Sequence, residues 1–245
     1  MAAPRCGCAT VVLPGGSRAL VGGGRSGGGF VSSTELLSLG TMTFEPGSQM
    51  LSPRAYCAAV VLDARRVLVI GGICHNITYL DTTEVLDTET MTFAPGPIMQ
   101  AGREGCAAVL LPGGRRVLVV DGYDGTIYFG TTEIFDIATM TFAPGPLMSC
   151  GRSDCAVVSL PGSIFVFGGY DGDSSVDTTE ALSIETLLSA AGPTMLTARC
   201  GCIAFALPQD HSPRRAFVVG GRDEFFDLSA TMEVLATADW QLEKN

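Results

Sequence analysis

The groups that could do chemistry in this 245-residue chain are few, and their types point in different directions. Five arginines recur at Arg5, Arg54, Arg103, Arg152 and Arg199, each with a cysteine three positions on. A ring of guanidinium groups could grip an acidic peptide by bidentate contacts. Five glutamates recur as well, at Glu35, Glu84, Glu133, Glu180 and Glu233, and could neutralise the arginines one to one. Glu104 and Asp154 are a pair of carboxylates suited to acid-base work on a glycosidic bond, if held about 5 to 9 Å apart. A copper site would need two histidines with a tyrosine, and the chain has only His75 and His211. Which of these groups can meet depends on the elements that carry them.

Those elements repeat. The arginine positions lie 49, 49, 49 and 47 residues apart and nearly fill the chain. A glycine pair follows at Gly22-Gly23, Gly71-Gly72, Gly168-Gly169 and Gly220-Gly221, with Asp121-Gly122 in its place in the third copy. Nine residues after each of the first three glutamates comes Phe44, Phe93 or Phe142. Short runs of Val, Leu, Ile and Ala, bounded by Pro-Gly-Gly, Gly-Gly and Pro-Gly-Pro, read as strands and turns and are too short for helices. In the second copy they predict strand a over Tyr56–Leu62, b over Arg66–Ile70, c over Thr83–Leu86 and d over Met91–Phe93. A four-stranded unit with a period near 50 cannot bury both faces alone and must stack on its neighbours.

Antiparallel order sorts the charged groups. The d-to-a and b-to-c connections share one face and the two hairpins share the other. The five strand-a arginines, Arg25 and Arg222 fall on the first face. Arg18, Arg65, Arg66, Arg115, Arg116, Arg214 and Arg215 fall on the second. His75 and His211 lie on opposite faces and cannot share a metal, so neither a metal nor a cofactor is expected. The recurring cysteines are expected as small buried hydrophobes.

The pattern Arg-x-x-Cys-Ala-Ala-Val-Val-Leu, then Val-Leu-Val-Ile-Gly-Gly, then Thr-Glu-Val-Leu-Asp-Thr-Glu-Thr-Met-Thr-Phe resembles the kelch repeat over the whole chain. It departs at two places. The family's Tyr two residues after the Glu is here Leu37, Leu86, Phe135, Leu182 or Leu235, and its Trp is Phe44, Phe93, Phe142, Ser189 or Leu242. The resemblance implies an all-β, kelch-type β-propeller, most simply five four-stranded blades in one domain over 1–245, at about 5–53, 54–102, 103–151, 152–198 and 199–245. An incomplete ring of six or seven blades is the alternative. It also implies protein binding, as a scaffold or as a substrate receptor of ubiquitin ligases, although no adaptor domain is seen. An enzyme is not expected, and the competing class is a carbohydrate-acting or carbohydrate-binding propeller using Glu104 and Asp154.

The partner is expected to be a protein or peptide, including an acidic one, bound at the loop rim. Positions that vary between copies are the candidates: Arg25, Tyr56, His75, Glu104, Tyr123, Asp124, Asp154, Tyr170, Asp171 and Arg222. The mouth arginines Arg5, Arg54, Arg103, Arg152 and Arg199 are expected to be structural instead, because buried charges are normally paired. With 15 Lys plus Arg against 25 Asp plus Glu, a net charge of −10 offers no basic face for nucleic acid. No apolar run is long enough for a membrane span. Nine cysteines without a C-x-x-C pair or a secretory leader point to a reducing compartment, cytoplasm or nucleus, and to a monomer with free thiols.

Overall fold

A computed structural model describes Met1 and residues 3–160, 162–183, 185–186, 188–206, 215–225 and 227–236. The fold is all-β, with antiparallel blades in chain order. Blade 1 has strands β1 (Ala9–Val12), β2 (Arg18–Gly22), β5 (Thr34–Ser38) and β6 (Thr43–Pro46), with the short hairpin β3 (Arg25–Ser26) and β4 (Gly29–Phe30) in its b–c loop. Blade 2 has β7 (Ala58–Val61), β8 (Arg66–Ile70), β11 (Thr83–Asp87) and β12 (Thr92–Pro95), with β9 (Ile73–Cys74) and β10 (Thr78–Tyr79) in the same loop. Blade 3 is β13 (Ala107–Leu110), β14 (Arg116–Val120), β15 (Thr131–Asp136) and β16 (Thr141–Leu147). Blade 4 is β17 (Ala156–Leu160), β18 (Ser163–Phe167), β19 (Thr179–Ser183) and β20 (Ser189–Ala191). The described part of blade 5 is β21 (Ile203–Ala206), β22 (Arg215–Val219) and β23 (Met232–Ala236). The fourth strand of that copy, with Leu242, and also His211 and Arg214, lie outside the described residues.

Two compact units are present, one formed by 1–119, 123–126 and 133–143, the other by 120–122, 127–132 and 144–245. In the first, Val60, Leu68 and Ile70 pack on Cys106, Val117 and Phe135, and Leu13, Leu20 and Leu36 pack on Val67 and Leu86. In the second, Val158, Leu160, Phe165 and Phe167 pack on Cys202, Ala216 and Val218. The b strands read as unbroken apolar runs because both of their faces are covered by neighbouring strands. Val67, Leu68, Val69 and Ile70 of β8 are all buried.

Three local readings of the sequence need correction. Strand a of blade 2 starts at Ala58, not Tyr56, because Tyr56 has φ 52° and turns the chain out of the extended region. Strand d starts at Thr92 and runs to Pro95, because Met91 at φ 55° closes the c–d turn. In blade 1 the structural glycine pair is Gly23-Gly24, not Gly22-Gly23. Gly22 is the last residue of β2, whereas Gly23 (φ 68°) and Gly24 (φ 95°) match Gly71 (62°) and Gly72 (96°). This pair turns the chain out of strand b beside the next blade. Gly24, Gly72, Gly122 and Gly169 donate their N–H groups to the carbonyls of Arg54, Arg103, Arg152 and Arg199, at 2.8, 2.8, 2.8 and 2.9 Å. A Cβ on Gly23 would lie 2.3 Å from the Arg54 carbonyl oxygen, so only glycine fits there.

Candidate interaction site

Each recurring arginine ends in an ion pair with the glutamate of its own blade. The separations are 2.8 Å for Arg5–Glu35, 2.8 Å for Arg54–Glu84, 3.1 Å for Arg103–Glu133, 2.9 Å for Arg152–Glu180 and 2.7 Å for Arg199–Glu233. The rest of the guanidinium serves the backbone. Arg54 Nη1 donates to the carbonyls of Gly71 and Thr82, and Arg152 Nη1 to those of Gly168 and Thr178. The glutamates also accept from the d–a connection. Glu84 takes the N–H groups of Leu51 and Ser52, and Glu133, Glu180 and Glu233 take those of Gln100, Ser149 and Leu196. The five arginines are therefore internal cross-braces that tie strand a, the glycine turn and strand c. They are not a free cationic ring.

The varied positions come together just beyond this brace. In every copy the residue after the arginine forms a two-way backbone bridge with the first residue after the glycine pair, or after Asp121-Gly122 in the third copy. The pairs are Cys6 with Arg25, Ala55 with Ile73, Glu104 with Tyr123, Ser153 with Tyr170, and Cys200 with Arg222. In the Glu104–Tyr123 bridge both N–H···O distances are 2.9 Å. The backbone geometry is constant while the side chains differ, as a binding face built on a repeated scaffold requires. The segment that leads into strand a thus brings Glu104, and the b–c loop brings Tyr123, to one place by main-chain bonds.

The next residue along from each bridge is held at positive φ: Gly7 (63°), Tyr56 (52°), Gly105 (66°), Asp154 (54°) and Gly201 (62°). Their backbones link neighbouring copies. Tyr56 N–H donates to the Gly7 carbonyl at 2.7 Å, Gly105 N–H to Tyr56 at 2.9 Å and Gly201 N–H to Asp154 at 2.7 Å. Burial pushes the Asp154 carboxyl above the usual range, partly opposed by a hydrogen bond from Ser153. Tyr56 and Asp154 occupy a position that three other copies give to glycine.

Rim aromatics pair across adjacent b–c loops, and half of them escape sequence reasoning. Phe30 meets His75 edge-on at 5.6 Å, Tyr79 meets Tyr123 at 5.5 Å, and Tyr128 meets Tyr170 at 5.6 Å. Arg25 lies over the Phe30 ring, 5.3 Å from its centroid, a cation–π geometry. The missed residues are Phe30, Tyr79 and Tyr128; Phe30 and Tyr128 stand five positions after the bridging Arg25 and Tyr123, a spacing that could have revealed them, and Tyr79 stands six after Ile73. Burial, then the nearby Glu104, Tyr123 and Asp124, push the Tyr79 hydroxyl above its ordinary value. Asp124 and Asp171 serve their own loops. Asp124 Oδ1 accepts from Thr126 N–H, and Asp171 Oδ1 from Asp173 and Ser174, whose N–H groups hold the Asp171 carboxyl below its usual range. Arg222 is exposed.

Four of the five equivalent cysteines, Cys57, Cys106, Cys155 and Cys202, are core residues, and Cys8 is half-buried. Burial pushes Cys57 up to about 11, Cys106 to about 12 and Cys202 to about 11, and burial together with Asp121 holds Cys155 well above its ordinary value. All nine cysteines are free thiols.

No curated protein matches the chain. The Kelch motif model matches residues 53–100 and 151–196, the second and fourth copies. The second and fourth copies thus carry the Kelch motif, the Arg–Glu brace that they share recurs in the other three, and the copies fold as antiparallel β-propeller blades, the fifth over its three described strands.

Proposed function

We propose that the protein is a binding module that takes a protein or peptide partner on its b–c loop rim. The kelch propeller fold is commonly used for protein–protein interaction. The observation that carries the reading is the repeated bridge, which holds dissimilar side chains, among them Arg25, Glu104, Tyr123, Tyr170 and Arg222, on an unchanging backbone. Paired aromatics beside charged groups are what binding hot spots are made of. Charge for an acidic partner segment is offered by the exposed Arg25 in the first unit or the exposed Arg222 in the second, since the five recurring arginines are each paired with a glutamate. Nine free thiols fit a reducing compartment, cytoplasm or nucleus. Among the described residues no helix is long and apolar enough to cross a membrane.

The test is affinity capture from the source cell, with the wild type beside Tyr79→Ala and Tyr123→Ala, each checked for an unchanged unfolding midpoint. A partner held by the wild type and weakened about 10-fold or more by either variant supports the rim, a loss of the size expected for a hot-spot aromatic. A partner held equally by all three overturns it.

Asp154 favours one competing reading, a carbohydrate-acting propeller, because a raised carboxyl suits a general acid. Incubation with an oligosaccharide panel decides it. Turnover lost in both Asp154→Asn and Glu104→Gln supports the enzyme, and no turnover by the wild type removes it.

A further inference from the structure

The second unit holds residues 127–130 and the b–c loops of blades 4 and 5, and there it leaves three large apolar side chains in water. Ile127 is 52% exposed, Phe225 76% and Leu228 83%. Contacts between the loops join them into one surface. Tyr128, next to Ile127, meets Tyr170 edge-on at 5.6 Å and lies over Gly172, where a Cβ would come within 3.0 Å of its ring. Tyr170 bridges Ser175 in the same loop, and Ser175 Oγ donates to the Asp223 carbonyl of blade 5 at 3.0 Å. Asp223 Oδ1 in turn accepts the N–H of Phe225 at 2.9 Å, and Leu228 bridges Arg222. Exposed apolar groups gathered on one surface and bordered by polar ones mark an interaction site.

The charges around these groups decide what fits them. Over 170–178 and 222–231 the loops carry Asp171, Asp173, Asp177, Asp223, Glu224 and Asp227 against Arg222 alone. Asp171 and Asp223 fold their own loops by accepting backbone N–H groups, whereas Asp173, Glu224 and Asp227 stand exposed. Among the described residues none of the six belongs to an ion pair. The chain does neutralise acids elsewhere: at the hairpins of blade 2, Asp87 and Glu89 pair with Arg65 at 2.7 and 2.8 Å, and Asp63 with Arg66 at 2.7 Å. Like charges left together repel and lower stability, and a partner of the opposite sign relieves that cost on binding. A second copy of this chain, at −10, and a nucleic acid both bring the wrong sign.

From this surface we infer that the rim of the second unit docks a basic segment of a protein partner, one that sets Lys or Arg beside apolar side chains. The apolar side chains cover Ile127, Phe225 and Leu228, and the cations meet Asp173, Glu224 and Asp227. The inference rests on the rim as the binding face and names the charge of what that face takes in this unit. It reverses the sign of the segment that Arg222 alone would select, because one guanidinium there stands among six carboxylates.

Selection of a random peptide library on the full chain under reducing conditions tests this, followed by affinity measurements on the recovered peptides. They should carry Lys or Arg next to Leu, Phe or similar residues. Their affinity should fall about 10-fold in Phe225→Ala, the loss of one hot-spot contact, and about 10-fold in a triple variant with Asp173→Asn, Glu224→Gln and Asp227→Asn. It should also weaken as salt rises from about 0.05 to 0.5 M. A control triple, Glu45→Gln, Glu89→Gln and Glu185→Gln, makes the same change in net charge at exposed positions outside the rim and should leave affinity within about twofold. All these substitutions fall on exposed residues, so unfolding midpoints should match the wild type. Acidic peptides, or basic ones weakened equally by both triples, overturn the inference. Peptides that depend on Tyr123 but not on Phe225 overturn it and leave the rim reading standing, and a library that yields no rim-dependent peptide overturns both.

Discussion

Arg54 Nη2 and Glu84 Oε1 lie 2.8 Å apart with side chains 1% and 3% exposed, and the same carboxylate holds the N–H groups of Leu51 and Ser52. This one pair joins the start of strand a, the preceding connection and strand c. Removing the carboxylate in Glu84→Ala strands a buried guanidinium and two backbone donors. The expected cost is about 3 to 5 kcal/mol in chemical denaturation. Arg54→Met with Glu84→Leu should cost less than the two single losses added together, since no uncompensated charge remains. An additive double variant would show that the brace is not a coupled unit.

The brace was legible in the sequence because it repeats: one arginine and one glutamate in every copy, at fixed offsets from the glycines. The exact glycine pair of blade 1 was not. Gly22, Gly23 and Gly24 are adjacent, and only the strand register, which pairs Gly22 with Thr34, shows which two turn the chain. Tyr56 and Asp154 read as variable binding positions, yet both sit where backbone geometry favours glycine. Residue type cannot report φ at a position where two of five copies depart from glycine. The rim aromatics Phe30, Tyr79 and Tyr128 were missed because each pairs with a residue of the neighbouring copy. Comparison within a single repeat does not see such contacts.

Asp154 gives the protein a pH signature. Its folded carboxyl titrates above the ordinary value of 3.8 because burial penalises the anion. The folded state thus binds a proton more tightly than the unfolded chain does. The resulting destabilisation is absent below the unfolded value and complete above the folded one. Asp154→Asn keeps a residue that tolerates positive φ and removes the charge. It should be more stable than the wild type at pH 7, with the difference shrinking as pH falls towards 4, when denaturant midpoints are compared across that window. A difference that stays constant or grows on acidification would show that Asp154 is not penalised by its burial.

Thiol reactivity should divide by position. Cys6 and Cys150 are exposed, whereas Cys57, Cys106, Cys155, Cys200 and Cys202 are buried. For Cys57, Cys106, Cys155 and Cys202 burial also keeps the thiol protonated at neutral pH. Iodoacetamide at pH 8, followed by peptide mass mapping, should modify Cys6 and Cys150 first. The five buried thiols should wait for denaturant. Early labelling of Cys106, placed among Val60, Ile70 and Val117 in the core, would mean that blades 2 and 3 open far more often than their packing implies.

The glycine that follows strand d in blades 1, 2 and 4 has a partner that the repeat keeps constant. A Cβ on Gly96 would fall 2.3 Å from Thr83 Oγ1, the hydroxyl that donates to the Pro97 carbonyl at 2.7 Å. Blades 1 and 4 show the same approach, Gly47 to Thr34 at 2.3 Å and Gly192 to Thr179 at 2.2 Å. Gly96→Ala must therefore move the connection or break the hydroxyl bond, at about 1 to 3 kcal/mol, the usual cost of overpacking. Thr83→Ala removes the clashing oxygen and should on its own cost about 1 kcal/mol for one lost hydrogen bond. In the Thr83→Ala background the added cost of Gly96→Ala should fall, because the next nearest atoms, Thr83 C and Cβ, stand at 3.3 Å. Equal costs in the two backgrounds would show that the hydroxyl does not set the glycine requirement.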